Sequence, residues 1–403
     1  MGDRRRSAPR RGRWSALVRR RVSAVVWPDA AVHRDASRVA AHEWFTNIGG
    51  SDKVAARLAD LVDAEVMYAY AVNRDLVDRL GIDRPVVTWR YGEAAARIGR
   101  FPIQLFVMPL VWATLDVSTA SQIVTSSHSC VNAVRAPAAQ RVSYVHTPMR
   151  YAWLHRLERD RLGRGTGWMW PPAAALFRRL DRSWSRHVDH FVANSEEIRG
   201  RISRAYGASS TVVHPPIETR WWTEAADSSA PENTAVDLAR PYVVVAGRLV
   251  PYKRPDLAVA AAVRAGRRVI VAGAGPLAQR LRSIGGDVDV IERPDDDTLR
   301  AILRHADALL FPGVEDFGML PVEAQSCGTA VIARASGGAL ETVIDGVTGV
   351  HVAGDGLDEW TQAIAAFDAD TFDAEKIRRH AAGFSAERFD REMRTVLDGR
   401  GVT

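Results

Sequence analysis

The sequence predicts an α/β protein of two domains, each built on a doubly wound parallel β-sheet with helices on both faces. The chain has 403 residues, which is more than one compact hydrophobic core usually organises. Short apolar runs alternate with segments of helical periodicity, as is typical of parallel sheets that are buried on both faces. A polar stretch at residues 223–240 interrupts this alternation, which then restarts. These observations indicate two Rossmann-like domains facing a cleft, where such sheets bind their ligands.

The first domain is expected to begin at residue 38. Four short apolar runs predict its strands. They are residues 39–42, 122–125, 141–145 and 190–193. A glycine turn at residues 47–52 follows the first run, and residues 53–62 have the spacing of a helix.

The second domain repeats this pattern from residue 241. Its predicted strands are residues 242–246, 268–272, 307–311 and 330–333, with a helix over residues 256–264. Five segments result. They are a basic, disordered extension (1–37), a first domain (38–222), a linker (223–240), a second domain (241–383) and a C-terminal helix (384–403) that crosses back to the first domain.

The net charge of +6 comes from the N-terminal segment. Residues 1–21 hold nine arginines and one aspartate, a charge of +8, so the rest of the chain carries −2. The bulk of the protein is therefore not expected to bind polyanions. The segment itself fits a solvated arm, an arm held against anionic lipid, or a twin-arginine export signal, although Pro28 cuts the apolar stretch of such a signal short.

Cysteine usage and hydropathy bear on the cellular compartment. The two cysteines, Cys130 and Cys327, are far apart and form no disulfide framework, which fits a reducing compartment. No apolar run reaches the roughly 18–20 residues that a membrane span needs. We therefore expect a cytoplasmic protein, or one that is peripheral at the inner face of the cell membrane.

Two cationic side chains follow the first strand of the second domain. Arg248 and Lys253 are five residues apart at this strand end, so both can reach one anion such as a diphosphate. Two solvated surface charges explain the spacing equally well. The Gly273-Ala274-Gly275 turn after the next strand lacks the third glycine of a dinucleotide fingerprint and favours a tight turn.

The stretch GVEDFGMLPVEAQSCG, residues 313–328, places Glu315 and Glu323 on either side of a predicted helix start. Pro321 suits the first turn of a helix that runs to Gly328, with Glu323 in that first turn. Backbone amides near residues 318–320 would then favour an anion, while carboxylates accept hydrogen bonds from hydroxyls. A ligand that is both polyol and phosphate fits this combination, and a helix-capping charge is the alternative for Glu323.

These residues resemble the retaining glycosyltransferases of family four, which have the GT-B fold. The paired glutamates, Gly247-Arg248-Leu249 with Lys253, and the Gly-Gly loop at residues 47–53 carry the resemblance, which covers residues 38–398. It implies that Arg248 and Lys253 hold the donor diphosphate and act catalytically. It implies further that Glu323 binds the donor ribose and that Glu315 contacts the transferred sugar and acts catalytically. The remaining donor-binding residues it implies are Gly49, Gly50, Arg293, Phe317, Gly318, Met319 and Leu320.

Three further positions resemble acceptor-side residues. His128 follows an apolar strand and is similar to the family histidine that faces the transferred sugar, which implies a catalytic role. His146 and Arg150, within His-Thr-Pro-Met-Arg-Tyr-Ala-Trp, resemble a subgroup of bacterial polysaccharide enzymes, many of them mannosyltransferases that use GDP-mannose. They are candidate acceptor or sugar contacts, and ordinary polar residues at a strand end are the alternative.

The resemblance implies a hexosyltransferase of cell-envelope polysaccharide synthesis, moving mannose from GDP-mannose to a glycan, glycolipid or lipid-linked acceptor. No cofactor or metal is expected. Tryptophans and arginines in residues 150–190 suggest an anionic membrane surface as a partner, and nucleic acid is not expected. A sugar-nucleotide epimerase on the same scaffold, or a non-catalytic scaffold that binds membrane or glycan, remains the alternative.

Overall fold

The computed structural model describes residues 21–46, 49–98, 101–153, 170–224 and 236–399. The arginine-rich segment 1–20, Asn47, residues 154–169 and most of the predicted linker therefore lie outside the described residues. The chain divides into two compact units. Unit 1 comprises residues 1–193 and 198–211, and unit 2 comprises residues 194–197 and 212–403.

Unit 1 contains a seven-stranded parallel sheet of order β3-β2-β1-β4-β5-β6-β7. Its strands are β1 (Arg38–Phe45), β2 (Val66–Val72), β3 (Val86–Thr88), β4 (Gln122–Ser127), β5 (Gln140–Val145), β6 (His190–Ala193) and β7 (Thr211–Val212). The four predicted strands are confirmed, and the sequence interpretation missed β2, β3 and β7. All seven residues of β2 are buried, which explains its continuous apolar run.

Helices cover this sheet. They are α1 (Gly50–Leu61), α2 (Arg74–Arg79), α3 (Gly92–Ile98), α4 (Phe101–Thr114), α5 (Arg150–Trp153), α6 (Trp170–Ser185) and α7 (Glu196–Tyr206). Helix α7 begins in unit 2 and ends in unit 1, and the chain returns to unit 2 at residue 212.

The predicted disordered extension is wrong for residues 21–37. Residues 21–26 are helical, and Pro28–Ala31 form a 3-10 helix. Trp27 is fully buried between them and donates its indole N–H to the carbonyl of Val111, at 3.2 Å. This segment therefore forms part of the core of unit 1, because its indole packs against Tyr68 and Trp112.

Unit 2 contains a six-stranded parallel sheet of order β10-β9-β8-β11-β12-β13. Its strands are β8 (Val243–Ala246), β9 (Val269–Ala272), β10 (Val288–Ile291), β11 (Ala308–Phe311), β12 (Ala330–Arg334) and β13 (Gly349–Val352). Its helices are α8 (Thr219–Thr223), α9 (Pro255–Arg264), α10 (Ala278–Arg282), α11 (Asp296–His305), α12 (Met319–Cys327), α13 (Ala339–Thr342), α14 (Leu357–Ala366), α15 (Ala374–Ala382) and α16 (Ala386–Leu397). The predicted class of two doubly wound, Rossmann-like domains is confirmed.

The division between the units differs from the predicted domain boundaries. Unit 2 resumes at Val212, before the predicted linker, so residues 212–222 group with the second domain and not with the first. The C-terminal helix α16 also groups with unit 2, whereas the sequence predicted a return to the first domain. A β-bridge between Ile217 and Ser385 joins these two segments within unit 2.

Candidate active site

Strand order explains why the candidate residues of unit 2 meet. The direction of winding reverses between β8 and β11, which are parallel neighbours. In an open parallel sheet, such a reversal opens a crevice beyond the carboxyl ends of the two strands. Arg248 and Lys253 follow β8, and Glu315 follows β11, so three predicted residues lie at this switch point.

The closest contact at the switch point is an ion pair. Lys253 Nζ lies 2.5 Å from Glu315 Oε1, and the two side chains are 18% and 21% exposed. Shelter from water strengthens such a pair relative to one on the surface. The sequence assigned these residues to different parts of a ligand, and the structure shows that each also neutralises the other.

Arg248 is exposed and makes a different kind of contact. Its Nη2 donates a hydrogen bond to the hydroxyl of Tyr252, at 2.6 Å. Within the described part of the chain Arg248 forms no ion pair, so its positive charge is available to an anion. A planar guanidinium that is held by a neutral phenol can still present a fork of N–H donors to phosphate oxygens.

Helix α12 begins earlier than predicted. Gly318 is its N-cap residue in the left-handed region, with φ of 87°, and Met319 is the first helical residue. Pro321 is therefore the third helical residue, where its missing N–H costs nothing, since the first-turn amides have no intrahelical acceptor. The amides of Met319 and Leu320 belong to this first turn and can bind an anion.

Two predictions about this helix need correction. Glu323 lies in the second turn and not in the first, because the helix begins at Met319. Phe317 is 3% exposed, and its ring stacks on His214 with centroids 5.3 Å apart. Its side chain therefore belongs to the core, and only its backbone is placed to contact a donor.

A second glycine loop supports the Glu315 backbone. The N–H of Gly338 donates to the carbonyl of Glu315, at 2.9 Å. A Cβ atom on Gly338 would lie 2.1 Å from the carbonyl oxygen of Phe317, so no larger residue fits there. Glu341, three residues further on, accepts hydrogen bonds from the Glu196 amide at 2.9 Å and from His214 at 3.0 Å. This carboxylate has a structural role that its motif alone did not reveal.

Arg293 lies apart from this group. It follows β10, the outer strand of the sheet, and is exposed with a left-handed φ of 54°. No described contact links its side chain to Arg248, Lys253 or Glu315, so its predicted position near the donor base stays a prediction.

Unit 1 has a switch point of its own, between β1 and β4. Gly49 and Gly50 lie beyond β1, where Gly49 is the N-cap residue of α1. The Gly49 amide donates to Asp52 Oδ2, at 3.0 Å. His128 follows β4 directly, as predicted, and His146 follows β5.

The histidines of unit 1 form a cluster. The ring of His128 lies 6.1 Å from that of His146 and 4.3 Å, edge to face, from that of Trp44. Burial lowers the pKa of His128 well below its ordinary value, and the charges of His42, His146 and Arg150 act in the same direction. Burial likewise lowers the pKa of His146 to about 3. Both imidazoles are therefore neutral near pH 7, and the guanidinium of Arg150 lies near His128.

Sequence reasoning missed four residues of this cluster. His42, Glu43, Asp52 and Ser126 are all buried. Only the register of β1 on β4, which pairs His42 with Ser126, brings them together, and a single sequence does not reveal this register. Among the described residues, no group of His, Cys, Asp or Glu side chains is arranged to hold a metal ion.

Glu43 lies beneath the loop that carries His128. Its Oε1 accepts hydrogen bonds from the amides of Ser129 and Val131, at 2.8 and 3.0 Å. Burial raises its pKa to about 7, although these two amides and His42 favour the charged form. A raised pKa means that the stabilisation by protonated Glu43 is complete below pH 4.5 and is lost as the pH rises through about 7.

Replacing Glu43 with glutamine is therefore expected to remove a pH-dependent part of the stability of unit 1. Glutamine keeps the size of the side chain and does not ionise. The stability difference is the unfolding free energy of the original protein minus that of Glu43→Gln. This difference should fall by at most about 3 kcal/mol as the pH rises from 4.5 to 8. Tryptophan fluorescence in urea measures this, since nine of the twelve tryptophans precede residue 194. A difference that does not change with pH would contradict the raised pKa.

Comparisons with known proteins agree with this geometry. The family model described as "Glycosyl transferases group 1" matches residues 228–383. A GDP-mannose-dependent alpha-(1-6)-phosphatidylinositol monomannoside mannosyltransferase of Mycolicibacterium smegmatis is 30% identical over 304 residues, which are 70% of this chain and 78% of that protein. A D-inositol 3-phosphate glycosyltransferase of Mycobacterium tuberculosis is 32% identical over 223 residues, which are 50% of this chain and 46% of that protein.

Solved structures give the fold. HepE of Anabaena in complex with UDP and glucose has a TM-score of 0.68 at 16% identity, and the match covers 90% of this chain and 100% of that one. Sucrose-phosphate synthase of Thermosynechococcus elongatus has a TM-score of 0.67 at 16% identity, covering 90% and 98%. The two doubly wound sheets and these neighbours show that the chain has the GT-B fold. The chain belongs to the group 1 glycosyltransferases, which confirms the family predicted from its motifs.

Proposed function

We propose that the protein is a retaining mannosyltransferase that moves mannose from GDP-mannose to a glycan, glycolipid or lipid-linked acceptor in cell-envelope polysaccharide synthesis. The observation that carries the proposal is the Lys253–Glu315 ion pair at the β8/β11 switch point, with Arg248 beside it on the same loop. A nucleotide sugar needs cations for its diphosphate and acceptors for its hydroxyls, and this arrangement supplies both.

The donor diphosphate binds between the cations and the start of α12. Arg248 and Lys253 stabilise the negative charge that develops on the departing nucleotide, assisted by the amides of Met319 and Leu320. No metal is required in this arrangement. As the diphosphate engages Lys253, Glu315 is released to accept a hydrogen bond from the transferred sugar, while Glu323 binds the ribose.

The proposal of mannose as the sugar and guanine as the base rests on similarity to a relative. The Mycolicibacterium smegmatis relative is GDP-mannose-dependent by its name and aligns with most of this chain. The uncharged imidazoles of His128 and His146, with Arg150 nearby, suit the hydroxyls of a sugar, because neutral rings both donate and accept hydrogen bonds.

The proposal is tested by nucleotide release from a panel of GDP-, UDP-, ADP- and dTDP-sugars, with and without membrane lipid extract. Lipid-dependent GDP release from GDP-mannose, with mannose recovered on an acceptor in the retained anomeric configuration, is the expected result. Release from another donor would overturn the sugar assignment. Conversion of the sugar nucleotide without any acceptor would favour an epimerase, and folded protein without release or donor binding would favour a non-catalytic scaffold.

The membrane surface predicted from residues 150–190 takes a different form in the structure. Trp153 donates its indole N–H to Asp181, at 2.7 Å, and Trp184 packs against the core of unit 1. Neither indole is therefore available to lipid, and Trp168 lies outside the described residues. Helix α4 instead exposes Phe106 and Leu110, which are 51% and 70% exposed.

An anionic lipid surface suits this face of unit 1. Phe106 contacts Phe177 of α6, with ring centroids 5.2 Å apart, and α6 also carries exposed Arg179 and Arg182. Arg182 donates to the carbonyl of Ala205, at 2.9 Å, so Arg179 is the better candidate of the two for a headgroup contact. Exposed apolar side chains on α4 and an exposed arginine on α6 match the acyl boundary and the headgroups of an anionic bilayer. No helix among the described residues is long and apolar enough to cross a membrane. We propose that the enzyme acts at the cytoplasmic face of the membrane.

Replacing Leu110 with glutamate is expected to weaken binding to phosphatidylglycerol vesicles about tenfold, because an exposed leucine that would enter the bilayer is replaced by a charge that anionic headgroups repel. Sedimentation with vesicles measures the bound fraction. Leu357→Glu, at an exposed leucine of unit 2, is the matched control and should bind as the original protein does. Equal loss in both variants, or in neither, would contradict this surface.

A further inference from the structure

A line of four polar side chains crosses the carboxyl edge of the unit 1 sheet. Asp52 Oδ1 lies 3.5 Å from His42 Nε2, and His42 Nδ1 lies 3.0 Å from Ser126 Oγ. Ser126 Oγ in turn lies 2.8 Å from His146 Nε2. The side chains of Asp52, His42 and Ser126 are buried, so these contacts replace contacts with water.

Regular structure fixes each member of this line. His42 and Ser126 are paired residues of β1 and β4, and Asp52 lies in the first turn of α1. The backbone N–H of His146 donates to the carbonyl of Ser127, at 2.9 Å, which extends the β4–β5 register by one residue. The distances are therefore set by the sheet and do not depend on a loose loop.

The direction of the hydrogen bonds follows from the chemistry of the groups. The contact between Asp52 Oδ1 and His42 Nε2 is electrostatic and too long for a good hydrogen bond, and a carboxylate oxygen at this distance favours an N–H on Nε2. A neutral His42 ring with its proton there has a lone pair on Nδ1. Ser126 then donates its hydroxyl proton to His42 Nδ1. Its oxygen is left to accept from His146, which must hold its proton on Nε2.

We propose that His42 and Ser126 are positioning residues that hold His146 as the Nε2–H tautomer, so that its Nδ1 accepts a hydrogen bond from a hydroxyl of the bound sugar or acceptor. No described residue forms a hydrogen bond with His146 Nδ1. The identity of this hydroxyl ligand rests on the proposed function, whereas the tautomer does not. The pKa of His146, lowered to about 3 by burial, agrees with a neutral ring.

One contact offers the opposite arrangement. His42 Nδ1 also lies 3.3 Å from the backbone carbonyl of Ser126, which accepts only. A proton on His42 Nδ1 would reverse the donor and acceptor roles in both hydrogen bonds. Ser126 would then donate to His146 Nε2, and His146 would carry its proton on Nδ1. The shorter contact to the hydroxyl, at 3.0 Å, favours the first arrangement.

Nitrogen NMR of protein labelled with ¹⁵N-histidine separates the two arrangements, because the two tautomers give different ring ¹⁵N shifts and different long-range couplings. His146→Gln assigns the signals of this ring. We expect a neutral Nε2–H ring in the original protein at pH 7. An Nδ1–H ring, or a charged one, would overturn the proposal.

Ser126→Ala tests the link itself. It should leave the His146 ring as a mixture of tautomers, whereas Ser126→Thr, which retains the hydroxyl, should preserve the Nε2–H form. Ser143→Ala is the matched control, since Ser143 is equally buried on β5 and bonds to Thr125 at 2.9 Å, outside this line. An unchanged His146 signal in Ser126→Ala would show that Ser126 does not set the tautomer.

Kinetics then connect the tautomer to the reaction. Ser126→Ala is expected to lower kcat about tenfold with little change in the KM for the donor, and Ser126→Thr to restore it. If Ser126→Ala shifts the His146 tautomer without changing kcat, the tautomer has no role in the reaction. If no donor is turned over by the original protein, the proposed function fails while the NMR result stands, so the two failures are distinguishable.

Discussion

Replacing Lys253 with alanine is expected to lower kcat/KM for the nucleotide-sugar donor about a thousandfold. Two effects add. The variant loses a cation that stabilises the leaving diphosphate, and it leaves Glu315 without its partner at 2.5 Å, so that a carboxylate repels the incoming phosphates. Initial rates of nucleotide release measure the change. Lys376→Ala, at a lysine of α15, is the matched control and should retain activity.

A double-mutant cycle separates the two effects. Glu315→Gln in the Lys253→Ala background removes the unpaired charge, so donor affinity should recover about tenfold while kcat stays low. Full activity in Lys253→Ala would refute the role of the ion pair in donor binding. Equal losses of kcat in Lys253→Ala, in Glu315→Gln alone and in the double variant, with unchanged donor affinity, would instead assign the pair to the chemical step alone.

The unit 2 site was largely predictable from the sequence because its residues lie at strand ends. Each strand is a continuous apolar run, and the residues that follow parallel neighbours must meet at one edge of the sheet. This logic placed Arg248, Lys253 and Glu315 together without knowledge of any contact. Their pairing was not predictable, since it depends on how far each loop folds back over the sheet.

The start of α12 is a second feature that the sequence did not predict correctly. Proline is common near the start of a helix, and this preference led to a predicted first turn that holds both Pro321 and Glu323. The third position is also tolerated, because the amide there has no intrahelical acceptor, and Gly318 supplies the left-handed N-cap. Because the helix begins at Met319, Pro321 does lie in the first turn, whereas Glu323 falls in the second.

Buried polar groups of unit 1 were missed for a different reason. His42 and Glu43 lie within an apolar strand, and their hydrogen-bond partners Ser126 and Ser129 lie more than 80 residues away. Spacing along the chain carries no signal for such contacts, since they depend on which strand pairs with β1. Trp27 was missed similarly, because the arginines before it suggested a solvated arm.

Removing the carboxylate of Asp181 is expected to destabilise unit 1 strongly. Asp181 lies on α6 and is 2% exposed. It accepts hydrogen bonds from Trp153 Nε1 at 2.7 Å and from the Tyr206 hydroxyl at 3.0 Å, and the amide of Met149 also donates to it. These donors come from α5, from α7 and from the residue before α5, so one side chain ties three segments together.

Asp181→Ala should lower the unfolding free energy by about 3 kcal/mol at pH 6, because it leaves buried donors without an acceptor. Burial raises the pKa of Asp181 to about 7, so most of the acid is neutral at this pH and Asp181→Asn is a close mimic that should cost about 1 kcal/mol. Urea unfolding followed by tryptophan fluorescence measures both variants. Equal losses in the two would show that packing, and not hydrogen bonding, decides the effect.

The same contact bears on the acceptor side of the enzyme. Met149 and Trp153 flank Arg150, so Asp181 fixes both ends of the short helix that presents this guanidinium. Asp181→Ala, which leaves these donors without an acceptor, is therefore expected to leave the donor KM nearly unchanged and to raise the acceptor KM about fivefold, since α5 shifts while the unit 2 site does not. Trp153→Phe, which removes one donor and leaves the carboxylate bonded to Tyr206, should have a smaller effect in the same direction. A change confined to the donor KM would contradict the assignment of Arg150 to the acceptor.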